Sequence, residues 1–393
     1  MLSIFGGRWV SYIGIPGTPI FLCDFLFIVS ALFFLPRIKI GAADFAIWLI
    51  LFPYFIFELL QNASFPFMVR VRDLIPFLYL LFVPLLREPM RILGNRRIFQ
   101  YLRIATLGHA LWAIPASLGI LKPIEIGTIF MAPVFSTRWD HTGFALAVGL
   151  IVWYQHEAIA LKGNGFALVI ILLAAILQGS RAGLLACLFS LLAITISFFS
   201  TVKESKSLNQ RKFKFIPFLA ASTVVLILLF PVFSRFIPEN SSLSRIGIVQ
   251  LSEKAIAGGQ GTARGRDNAQ QTLMAWVENQ NRRLIGVGPG VEMISESGAV
   301  SNLSGSLDVR SPHSWLYGSL ARFGFLGLFI WSLILYLARL SEKDALNPFK
   351  FPNCLVISLL ITATFGVMIE SPFGSLPLAI LLAIPPNTPS RES

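Results

Sequence analysis

Three arginines and one histidine stand out by type and by place. Arg181 lies in Gln178-Gly179-Ser180-Arg181-Ala182-Gly183, between two apolar runs. Arg264 and Arg266 precede a stretch, 267–284, in which Leu273, Trp276, Val277 and Leu284 recur at helical spacing. His313 follows Pro312 and meets the next apolar run at Ser314-Trp315-Leu316. Guanidinium groups grip phosphate oxygens through paired hydrogen bonds, and imidazole takes a proton near neutral pH. Arg264, Arg266 and His313 fall in the long polar segment 237–314, and these residue types suit chemistry on an anionic substrate at a bilayer surface.

Each residue also has a plainer reading. Arg181 could be an interfacial anchor that snorkels to headgroups, although an arginine there more often faces protein, water or an anion. Arg264 and Arg266 could be solvated loop charges. With Asp267 as N-cap, they would instead open the helix and form a phosphate site at its N-terminus. His313 could cap a helix. Secondary candidates are Arg138, His141 on the outer face beside Arg138 and Asp140, and Glu370, which could orient His313 or pair with an arginine. His109 and His156 are weaker. Four scattered histidines without a nearby cysteine give no metal spacing, and no cofactor is expected. Gly286-Val287-Gly288-Pro289-Gly290 lacks the Lys-Ser/Thr of a P-loop and reads as a tight turn after the helix.

The elements that must position these residues are apolar. The mean hydropathy is +0.72, with 55% hydrophobic and 13% charged residues, where a soluble domain carries about a quarter charged. The reading is an all-α, polytopic integral membrane protein. Continuous rather than alternating apolar runs argue against a β-barrel. Eleven spans fall at 20–36, 43–60, 73–87, 98–121, 141–158, 164–179, 182–200, 215–236, 314–338, 353–370 and 372–387. A twelfth would need residues 1–19, where Gly6, Gly7, Gly14, Pro16, Gly17 and Pro19 argue against a helix. Those residues carry Arg8 but no cleavable signal pattern. Residues 1–236 thus hold eight spans, 237–313 one large loop with an amphipathic helix, and 314–393 three spans and a tail.

The net charge of +12 could suggest nucleic acid. The basic residues, however, cluster in alternate short loops. Arg37, Lys39, Arg87, Arg91, Arg96, Arg97, Lys162, Lys203, Lys206, Arg211, Lys212, Lys214, Arg339, Lys343 and Lys350 form the richer set. By the positive-inside rule that set is cytoplasmic, and the large loop and Arg181 face outward. Cys23, Cys187 and Cys354 lie inside apolar runs as small buried side chains.

Taken together, the motifs resemble the O-antigen ligase and O-antigen polymerase superfamily. They are Ser180-Arg181-Ala182-Gly183-Leu184-Leu185; Gly265-Arg266 with Trp276 ahead of Leu284-Ile285-Gly286-Val287-Gly288-Pro289-Gly290; and Pro312-His313-Ser314-Trp315-Leu316 followed by Phe323-Gly324-Phe325-Leu326-Gly327-Leu328. The resemblance covers about 140–340. It implies a membrane glycosyltransferase of GT-C-like architecture in the bacterial inner membrane, with its active site facing the periplasm. The donor would be an undecaprenyl-diphosphate-linked glycan, and the acceptor lipid A-core or a second lipid-linked glycan. The transfer would be metal-independent and inverting. On that pattern Arg181 and Arg266 match the diphosphate-gripping arginines, His313 the residue that activates the acceptor, and Arg138 a basic residue before span five. Two departures stand out: Ser314 replaces a frequent Asn after His313, and Arg264 competes with Arg266.

A ligase, a polymerase and, from another class, a transporter or flippase of lipid-linked glycans remain in view. The single large outer loop favours a ligase. Charge concentrated at the outer lip, and no visible pair of inverted repeats, favour an enzyme over a transporter.

Overall fold

The structure is a computed structural model that describes residues 2–15, 21–127, 129–160, 165–178, 180–204, 253–299, 312, 314–339, 347, 349, 351–366 and 368–384. Among these there are helices and isolated bridges but no strand. In chain order the helices are α1 Leu2–Gly6, α2 Arg8–Ser11, α3 Leu22–Phe34, α4 Ala42–Leu60, α5 Phe67–Asp73, α6 Ile75–Leu80, α7 Val83–Ser117 and α8 Trp139–Ala160. They continue as α9 Phe166–Leu177, α10 Arg181–Glu204, α11 Glu253–Asn279, α12 Met293–Glu296, α13 Trp315–Arg339, α14 Asn353–Thr364 and α15 Pro372–Ala383.

Local chemistry sets several boundaries. Asp24 and Asp44 sit in the first turns of α3 and α4 and accept the N–H groups of Phe21 and Gly41, at 2.9 and 3.3 Å. An acidic group there satisfies an otherwise unpaired donor and suits the positive end of the helix dipole. Gly94, at φ 74°, breaks α7 into two pieces. Gly7, at φ 60°, separates α1 from α2. Residues 2–11 therefore do form helix, in two pieces too short to cross a bilayer, and they pack on α7.

Helix α8 is the centre. Phe144, Ala145, Leu146, Ala147, Val148 and Leu150 have no exposure, as expected of a helix apolar on every face. Helices α7, α9, α10 and α14 surround it. Small residues allow the close approaches: a Cβ at Gly149 would lie 3.1 Å from both Thr106 and Ile171. The outer surface is apolar too. Phe25, Leu32 and Phe33 on α3, Phe45, Leu49 and Phe52 on α4, Leu185, Leu188 and Leu192 on α10, and Phe325 and Phe329 on α13 all point away from the core. Soluble proteins rarely expose patches of this extent, and these faces suit lipid.

Helices overlie nine of the expected spans, those at 20–36, 43–60, 98–121, 141–158, 164–179, 182–200, 314–338, 353–370 and 372–387. The segment 73–87 differs. It contains the end of α5, all of α6 and the start of α7, with Pro76 and Pro84 in the first turns of α6 and α7. Proline lacks the N–H that an uninterrupted helix would need there. Span 215–236 lies outside the described residues. Among the described residues, α4 and α13 are long and apolar enough to cross a membrane.

Candidate functional site

Arg181 takes the first position of α10. Ser180 caps that helix: its Oγ accepts the Gly183 N–H at 3.0 Å. Gly183 then presses on Gly143 of α8, where a Cβ on either residue would overlap the other's backbone. The buried Gln178 carboxamide fills the space beside both glycines. The backbone of Arg181 is thereby fixed against the start of the central helix.

The start of α13 is fixed in a similar way. Ser314 Oγ donates to the Thr364 carbonyl at 2.7 Å, and the Trp315 N–H donates to the Gly366 carbonyl at 2.8 Å. Gly366 abuts Asp140, whose carboxylate takes Arg138 Nε at 3.1 Å and the His141 N–H at 3.0 Å. The Arg138 guanidinium also lies 5.1 Å from the Phe373 ring centroid. His313 lies outside the described residues, but Pro312 and Ser314 on either side of it are buried. Glu370 ends a 3₁₀ turn, Met368–Glu370, that packs on α6, α13, α14 and α15 and is half-buried. Contacts thus link the starts of α8, α10, α13 and α15 at one end of the bundle.

His141 does not face outward. It is 1% exposed, with its ring 5.6 Å from His109 and 5.9 Å from Phe373. His109 and Trp112 both reach the Phe5 carbonyl. Insertion of α1 and α2 over this spot, unexpected from a glycine-rich N-terminus, is what buries His141.

The polar-segment helix also differs from expectation. It runs Glu253–Asn279, so Arg264 and Arg266 lie in its interior rather than opening it. Asp267 is no N-cap; its carboxylate accepts the Gln271 side chain one turn on, at 3.0 Å. No helix N-terminus therefore lies at these arginines to add to an anion site. The buried face is close to the expected one. Ala269, Leu273 and Val277 are fully buried, with Trp276 packed alongside, against Ala321 of α13 and against Val287, Val291, Met293 and Ile294. Leu284 lies beyond the helix and is exposed. Arg266 is exposed, one turn before the Ala269 contact.

The glycine-rich turn does more than redirect the chain. Gly324, at φ 63° and ψ −168°, breaks α13. In an unbroken helix Phe325 and Leu326 would donate to Ala321 and Arg322. Here they donate to Arg283 and Leu284 instead, at 3.0 and 2.9 Å. The freed carbonyls of Ala321 and Arg322 accept Val287 and Gly288, at 2.9 and 2.8 Å. The turn is spliced into the helix, two helical bonds giving way to four. Gly286 and Gly324 have left-handed φ, and a Cβ on either would overlap backbone of the other segment.

Side chains that sequence reasoning passed over hold this splice. Asp73 Oδ1 meets Arg322 Nη1 at 2.8 Å, with both side chains under 9% exposed. Asp73 Oδ2 accepts the Gly290 N–H at 2.9 Å. Asn62 Nδ2 donates to the Val287 carbonyl at 2.7 Å, and Arg70 donates to the Phe65 and Leu59 carbonyls. A charged residue at 322 inside an apolar run was the available signal. Among the described residues no group of three or more His, Cys, Asp or Glu side chains could hold a metal ion.

Comparison with known proteins bears on residues 166–332, which match the family model described as O-antigen ligase. No curated protein matches the chain. The matched stretch contains Arg181, Arg264, Arg266, the glycine turn, His313 and Gly324, and leaves Arg138 and Glu370 outside. Residues 166–332 are thus similar to the O-antigen ligase family, and the match supports the ligase and polymerase superfamily that the motifs resemble.

Proposed function

We propose that this protein is a glycosyltransferase that moves a glycan from undecaprenyl diphosphate to a sugar hydroxyl at the outer face of the bacterial inner membrane, with lipid A-core as acceptor. The observation that carries this reading is the order of the Arg181, Arg266 and His313 motifs inside the stretch that matches the O-antigen ligase family. The excess of basic residues in the opposite set of loops supports the outward orientation.

The chemistry follows from the residue types. The acceptor oxygen attacks the anomeric carbon as the bond from that carbon to the diphosphate oxygen breaks. His313 takes the hydroxyl proton. Arg181 and Arg266 bind the departing diphosphate and offset its growing charge, with Arg264, Arg138 and Glu370 as further substrate contacts. A single displacement of this kind inverts the anomeric centre. No metal is required when two guanidinium groups supply the charge.

The test is an analysis of envelope glycans in a strain lacking the gene. A ligase leaves bare lipid A-core, with full-length glycan stranded on its carrier. Core capped by a single repeat unit, or one polymer missing with its repeat unit trapped on carrier, identifies a polymerase instead. Unchanged envelope glycans refute both.

A further inference from the structure

We infer that Asp73 and Arg322 are positioning residues that latch the glycine turn to the helix bundle and so set the place of α11, the helix that carries Arg266. The inference rests on the functional reading only for what the latch positions; the latch itself is read from geometry.

The splice between the turn and α13 consists of backbone bonds that an intact helix could replace with its own. If Gly324 returned to helical angles, Phe325 and Leu326 could donate again to Ala321 and Arg322, and the turn would be released. Something outside the splice must favour the open form of the helix. Asp73 is placed to do so, because it binds both partners at once. One carboxylate oxygen holds the Arg322 guanidinium, two residues before the break, and the other holds the backbone of Gly290, at the far end of the turn. Asn62, in the turn after α4, holds the Val287 carbonyl between them.

Burial makes the pair decisive. A buried carboxylate or guanidinium left alone is costly, so removing one partner is far worse than removing both. The turn then fixes α11. Val287 and Val291 pack with Leu273 and Val277, and Ala321 closes the same cluster next to Arg322. Release of the turn would free the helix face that begins one turn after Arg266. The expected result is weaker donor binding with acceptor binding unchanged.

The test uses the full chain in phospholipid vesicles, wild type and with Asp73→Asn, Arg322→Gln and both together. Trypsin reports the latch without any substrate. Arg282 and Arg283 are exposed, yet the backbone beside them is held in the splice by the Gly286 N–H on the Arg282 carbonyl and the Phe325 N–H on the Arg283 carbonyl. Each single variant should be cut there at least tenfold faster than wild type. The double variant, which removes both members of the Asp73–Arg322 pair together, should be protected better than either single one. With undecaprenyl-diphosphate-linked glycan as donor, each single variant should show at least a fivefold higher donor KM and an unchanged acceptor KM. A loss of folded protein alone would lower the rate and leave KM alone. Single variants as resistant to trypsin as wild type overturn the latch. Fast cleavage with wild-type donor KM overturns the positioning role. Wild-type protein that resists trypsin but transfers nothing supports the latch and counts against the functional reading instead.

Discussion

A diphosphate leaving group needs positive charge held where the negative charge grows, and an arginine supplies it only if its backbone is held still. Ser180 and the Gly143–Gly183 contact do this for Arg181. Arg181→Ala, Arg266→Ala and His313→Ala should each lower transfer by about 100-fold or more, the scale seen when a transition-state donor is removed, while the protein still inserts. Complementation of a deletion strain, alongside a membrane-fraction blot, measures both. Full complementation by all three would remove the catalytic assignment. Arg181→Lys should also be weak, because an ammonium lacks the planar fork. Arg181 and His313 stand out as candidates in the sequence because such residues are conspicuous at the edges of apolar runs. The bond from Asp73 to Arg322 could not, since nothing local at either residue names a partner so far along the chain. His141 misled for a similar reason: its exposure depends on where residues 2–11 pack.

At the scale of elements, hydrophobic period located most helices and said little about their breaks. The apolar run 314–338 reads as one helix, and glycine within it is merely a weak helix former. The splice at Gly324 depends on a distant turn supplying four hydrogen bonds. Apolar spacing and Asp267 as an N-cap place a helix start near 267, yet the helix carrying Arg266 begins at Glu253. Two substitutions probe the splice. Gly286→Ala and Gly324→Ala each place a Cβ against backbone at left-handed φ, and each should cost about 3 kcal/mol. Their unfolding temperatures in detergent should fall clearly below wild type. An unchanged value for Gly324→Ala would mean that α13 is continuous. At the α8–α10 crossing, Gly183→Val should cut transfer more than it lowers stability, because it moves the start of α10 and Arg181 with it. Equal losses of transfer and of folded protein would deny Gly183 any role beyond packing.

For the molecule as a whole, the apolar outer faces of α3, α4, α10 and α13 and the polar contacts at one end of the bundle suit a reaction at a bilayer surface. A lipid carrier needs such a border, with prenyl chain against helices and diphosphate among arginines. The account makes charge compensation a property of side chains, so purified protein should keep its activity in EDTA. Loss of activity restored by Mg²⁺ would contradict that. The most direct measurement combines purified protein in phospholipid vesicles, undecaprenyl-diphosphate-linked glycan and lipid A-core, with the products resolved by mass. The expected products are glycan attached to core with inverted anomeric configuration and free undecaprenyl diphosphate in equal amount, with about 100-fold less of both from the His313→Ala variant. Intact donor and bare core after incubation with active, folded wild-type protein would contradict this expectation.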